Sequence, residues 1–174
     1  MAAAPDTLTL KKHRDQEGED WKPWVRRALI LLLCVIPALA AFNVFGQRPS
    51  TQTVNAPAAK LSLYAPTHLR GGLLYMARFH VHANQELKKA TLILDPGWAE
   101  NITINTIEPS PVSEGSADGR LLFELGHIPK GQSFVLYMEF QVNPTNVGHR
   151  STDVELNDGN TYLLKLHRTI TIFP

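Results

Sequence analysis

His80 and His82 are the residues of this sequence whose type and spacing are best suited to chemistry. They stand two apart in Leu74-Tyr75-Met76-Ala77-Arg78-Phe79-His80-Val81-His82, so on a β-strand both imidazoles project from one face. Two imidazoles so placed suit copper or zinc, and Met76 and Arg78 precede them on that face. A third ligand is required, and His68, His149 and His167 are the available imidazoles. Alternation of polar residues on a solvated sheet face explains the pair without a metal. The expectation is therefore no metal and no cofactor, with His80 and His82 kept as the alternative. Asp95, Asp153 and Asp158 fall in or beside turns, where aspartate bonds its own backbone, and no Asp-rich loop of the kind calcium needs is present. No serine lies in a Gly-x-Ser-x-Gly setting, and no other catalytic constellation stands out, so an enzyme is not expected. Asn101-Ile102-Thr103 matches a glycosylation sequon, a short pattern that matters only in a pathway that uses it.

The elements that would carry these residues repeat with a period of two. Leu61 and Leu63 alternate, then Leu73, Tyr75, Ala77, Phe79 and Val81 share one face. Ala90, Leu92 and Leu94 follow, then Ile102 and Ile104, then Leu121, Phe123 and Leu125. Phe134, Leu136, Met138, Phe140 and Val142 form another face, Val154 and Leu156 a shorter one, and Tyr162 to Ile172 the last. Turn chemistry punctuates these runs at Arg70-Gly71-Gly72, Asp95-Pro96-Gly97, Ser110 to Gly119, Pro129-Lys130-Gly131 and Asn157 to Asn160. Seven to eight short strands with such punctuation predict an all-β, two-sheet sandwich of immunoglobulin-like plan over residues 60–174.

Before this domain lies Ala28–Phe45, which contains no charged residue. With its flanks it predicts a transmembrane helix over residues 26–46. Basic residues Lys11, Lys12, Arg14, Lys22, Arg26 and Arg27 crowd its N-terminal side, which places that side in the cytoplasm and the remainder outside it. Trp21 and Trp24 stand where interfacial indoles are expected. The rival reading is a signal peptide cut after Ala40, suggested by Pro37 and Ala38-Leu39-Ala40. Pro37 and Asn43 within the span read as a tolerated kink and a residue near the outer headgroups. Residues 1–25 read as a disordered cytoplasmic tail, and residues 47–59, QRPSTQTVNAPAA, as a linker.

Charge narrows the function classes. From Gln47 onward eleven Lys and Arg face eleven Asp and Glu, so no basic field favours nucleic acid. The single cysteine, Cys34, lies in the apolar stretch, which leaves no disulfide framework.

Leu87-Lys88-Lys89-Ala90-Thr91-Leu92, Asp95-Pro96-Gly97, Gly119 to Gly126, Ile128-Pro129-Lys130-Gly131, Pro144 and Gly148 form a pattern of turns and alternation. In it the chain resembles the conserved-repeat, immunoglobulin-like sandwich modules of bacterial and archaeal surface proteins. The resemblance covers about Lys60–Leu156 and implies a bacterial spacer, adhesive or assembly unit with no assigned function, here as one copy behind an anchor. The expected role is thus an extracytoplasmic interaction module on the plasma membrane, held in the lipid bilayer and docking onto a membrane or envelope protein. The candidate contact surface is the polar face Lys165, His167 and Thr169 of the C-terminal strand, whose edge can accept a partner strand. Arg168 interrupts the apolar face of that strand and is expected at a sheet rim or paired with Glu124 or Glu139.

Overall fold

The computed structural model of the protein describes residues 21–42, Val44 and residues 47–174. Residues 1–20, most of the expected tail, lie outside the described residues, as do Asn43 and Gly46. The chain divides into two units between Val44 and Phe45.

In the first unit, α1 spans Lys22–Ala41 and none of its residues is buried. Pro23 falls in its first turn, where a missing N–H costs nothing and the fixed φ suits a helix. The helix accordingly starts at Lys22 rather than at residue 26, so residues 22–25 are helical. Pro37 lies inside it, and the last helical residue is Ala41. The helix is long and apolar enough to cross a membrane, a description that a signal sequence also meets. Arg27 places its guanidinium 5.1 Å from the centre of the Trp24 indole.

The second unit is an all-β sandwich. One five-stranded sheet runs β1 (Pro49–Asn55), β2 (Ala59–Pro66), β4 (Leu74–Ala83), β9 (Ser133–Val142) and β6 (Ile102–Glu108) in spatial order. The other runs β12 (Thr161–Leu166), β11 (Val154–Asp158), β5 (Leu87–Leu94), β8 (Arg120–Ile128) and β7 (Ser113–Ala117). A small third sheet joins β10 (Gly148–Ser151), β13 (Thr169–Phe173) and β3 (His68–Arg70), with β13 and β3 parallel. The predicted alternation falls where it should. Leu61, Leu63, Phe79, Val81, Leu92, Leu94, Leu136, Met138, Phe140 and Leu156 are all fully buried between the sheets. Each such side chain contributes about 1.5–3 kcal/mol by leaving water. Trp98, from the turn after β5, fills the centre of this core with its ring centroid 5.2 Å from Phe140 and 5.4 Å from Phe79.

Three expectations are corrected. The described residues hold thirteen strands, not seven or eight, because several strands are too polar to show an apolar period. Residues 49–55, read as linker, are β1, paired along their whole length with β2. Its Thr and Val residues suit a pleated edge, but its one large apolar residue, Val54, is only partly buried. Within the stretch Ser110–Gly119, read as a turn, lies β7, exposed at every residue. Its hairpin to β8 turns on Asp118 and Gly119, both at positive φ (53° and 75°), the signature of a two-residue primed turn.

Candidate partner-binding face

The outer face of the β1-β2-β4-β9-β6 sheet is built by the residues that alternate with the core. Cross-strand register places Thr51 of β1 beside Tyr64 of β2, Tyr64 beside Arg78 of β4, and Arg78 beside Tyr137 of β9. Directly opposed residues of an antiparallel pair share a face, so these four form one row. The next row is Ser62, His80 and Val135. Together the two rows line a shallow groove of about 300 Å³. Arg78 lies over the Tyr64 ring, 5.3 Å from its centroid. Such a contact is worth about 0.5–1 kcal/mol at an exposed site, and it holds the guanidinium in one place. Tyr64 and Tyr137 remain 39% and 42% exposed, and Met76, the next outward residue of β4, is 56% exposed. Tyrosine, arginine and methionine are types enriched at contact hot spots.

His80 belongs to this groove. His82 lies one step along the same face, its Nδ1 2.8 Å from Ser133 Oγ. The other three imidazoles considered as ligands are elsewhere. His68 stacks on Phe173 and bonds Thr67 Oγ1, His149 bonds Thr171 Oγ1, and His167 bonds Asp153. No group of three or more His, Cys, Asp or Glu able to hold a metal occurs among the described residues.

The C-terminal run is not one strand. It breaks at His167 and Arg168, where the chain leaves the second sheet as β12 and enters the small sheet as β13. Asp153 organises the break. Its Oδ1 accepts the Arg168 N–H at 2.8 Å, and its Oδ2 lies 2.8 Å from His167 Nδ1 and 3.2 Å from Lys165 Nζ. Lys165 also reaches Asp95 at 3.6 Å. Burial works to raise the Asp153 carboxyl, but the Arg168 amide, His167 and Lys165 outweigh it and hold the group below its ordinary value. Burial likewise works against the Lys165 ammonium, and the two carboxylates overcome it and hold that group above its ordinary value. Of the three residues expected to meet a partner, Lys165 and His167 are thus engaged within the chain. Thr169 is exposed, opposite Ser151 in the small sheet.

Arg168 corrects a further expectation. It is neither at a rim nor paired with an acid, but buried at 4% exposure, donating from Nη2 to the Ala65 carbonyl. Glu124 instead bonds Lys89 and Ser113, and Glu139 accepts from Asn105. The Arg168 charge faces the buried Tyr75, whose phenol is pushed above its ordinary value by burial, with the guanidinium opposing that shift. Asp158 accepts the Lys89 N–H, and Asn101 is exposed at positive φ with its carbonyl bonded by Asn143 and Asn146.

The groove is not legible in the sequence because its members come from β1, β2, β4 and β9. Ser62 and Tyr64, Arg78 and His80, and Val135 and Tyr137 each stand two apart, but the strands that carry the pairs are distant in the chain.

No family model matches the chain, and no curated protein matches it. Among solved structures it is similar to a FixG-related protein from Vibrio parahaemolyticus, with 14% identity and a TM-score of 0.38, over 68% of this chain and 98% of that one. It is also similar to a GH20 exo β-N-acetylglucosaminidase from Vibrio harveyi in complex with N-acetylglucosamine, with 8% identity and a TM-score of 0.27. That match covers 73% of this chain and 18% of the enzyme's length.

Proposed function

We propose that this chain is a membrane-anchored interaction module whose β-sandwich, held outside the cytoplasm, docks a membrane or envelope protein. The docking surface is the outer face centred on Tyr64, Arg78 and Tyr137. The observation that carries this reading is that row: two half-exposed aromatic rings flank an arginine already held over one of them. A guanidinium and rings fixed before binding lose little conformational freedom when a partner covers them. The row supports docking better than the Lys165–His167–Thr169 surface does, because a partner there would have to compete with Asp153 for two of the three side chains.

The test is co-purification from native membranes. Full-length wild-type protein should retain a stoichiometric partner. The Arg78→Ala/Tyr137→Ala pair should lose it while remaining folded, since each truncation at a hot spot weakens binding by about 2 kcal/mol or more. A partner retained by the folded double variant would remove this face. Loss on Lys165→Ala/Thr169→Ala instead would return the site to the C-terminal strands.

A further inference from the structure

A cation–π contact fixes a guanidinium without neutralising it. Arg78 is exposed, and the Tyr64 ring is its one contact of this kind. Among the described residues its guanidinium has no hydrogen bond and no ion pair. The groove around it is lined by Thr51, Ser62, Tyr64, His80, Val135 and Tyr137, none of them acidic. Two carboxylates share this sheet face. Glu139 lies one row along, opposite Met76, and accepts from Asn105 Nδ2 at 3.4 Å. Glu108 lies in the row of Arg78 but beyond Tyr137, on β6, and so two strand spacings or about 10 Å away by backbone. The groove therefore holds a positioned cation whose charge nothing in the described residues pairs.

We infer that Arg78 is a carboxylate receptor, and that the docked protein inserts an Asp or Glu side chain between Tyr64 and Tyr137 to meet it. The inference rests on the docking reading and names what that face recognises. A guanidinium takes a carboxylate through two parallel N–H···O bonds, a geometry that a lysine ammonium lacks. In open water such a pair contributes little. A partner that covers the groove excludes solvent, and the two flanking rings then wall the pair from water. Covered without a carboxylate, the Arg78 charge would be left desolvated and uncompensated. The same side chain thus favours an acidic partner and rejects a neutral or basic one. His80, opposite Ser62 in the next row, brings an imidazole to the same space.

Retention of the partner by full-length variants in native membranes tests it. Arg78→Gln keeps a polar side chain but removes the charge, and should lower retention about tenfold or more. Arg78→Lys should hold the partner more weakly than wild type and allow its carboxylate to be trapped. A water-soluble carbodiimide activates that carboxylate, the lysine amine attacks it, and an amide forms as the carbodiimide leaves as its urea. Mass spectrometry should then find position 78 bonded to an Asp or Glu of the second protein. A partner held by Arg78→Lys with no amide at position 78 would overturn the inference. So would Arg78→Gln holding the partner as well as wild type does while Arg78→Ala/Tyr137→Ala loses it, a result that leaves the docking face standing. Retention by the folded double variant as well would overturn both. Loss of the partner from the wild-type complex on phosphatase treatment would assign the anion to a phosphate and overturn the carboxylate.

Discussion

At the residue scale, one carboxylate decides how the C-terminal strands turn from one sheet to another. Asp153 takes the Arg168 amide, His167 and Lys165 at once, and its own carbonyl accepts the Trp98 indole N–H at 3.3 Å. A carboxyl held below its unfolded value adds stability above that value and loses it as pH falls through the folded one. Lys165, held up, adds stability below its unfolded value and loses it as pH rises through the folded one. Their joint contribution is therefore whole between about pH 4 and pH 10 and fades beyond both limits. Asp153→Asn should cost about 1–2 kcal/mol at neutral pH and flatten the acid limb of the stability profile, measured by urea unfolding at stepped pH. An unchanged acid limb would show that the cluster adds nothing to folding. None of this was legible in the sequence, where Asp153 is an ordinary turn residue. Arg168 shows the same limit: its break in the apolar period was visible, but its burial against the Ala65 carbonyl depends on β2, about a hundred residues earlier.

At the scale of elements, what the sequence showed was whatever carried large apolar side chains in alternation. The faces of β4 and β9 were read residue by residue and lie buried as expected, apart from the exposed Leu73 before β4 and the half-buried Phe134 in β9. What it hid were strands whose period is carried by polar residues. β1 is Pro-Ser-Thr-Gln-Thr-Val-Asn and β7 is Ser-Glu-Gly-Ser-Ala, and both lie at sheet edges, where pairing on one side suffices. β1 is nonetheless part of the fold. It covers the edge of β2 and supplies Thr51 to the groove. A protein lacking Thr51–Asn55, with α1 and the rest intact, should unfold at lower urea than the full chain because β2 loses its ladder. It should also lose the bound partner. Equal midpoints would mean that β1 is the linker its composition suggests.

For the molecule as a whole, an apolar helix precedes a sandwich with its own core, the arrangement that the proposed tethered module requires. The docking surface proposed on that domain is the outer face of the β1-β2-β4-β9-β6 sheet, and the account depends most on it. Its most direct test is photocrosslinking in native membranes, with p-benzoylphenylalanine placed in the full-length protein at Tyr137 or at Tyr162. Tyr162 is the more exposed of the two, at 59%, but lies on β12 in the opposite sheet. The account predicts a discrete crosslinked species from position 137, identifiable by mass spectrometry, and none from position 162. A crosslink to the same species from 162, with none from 137, would contradict it.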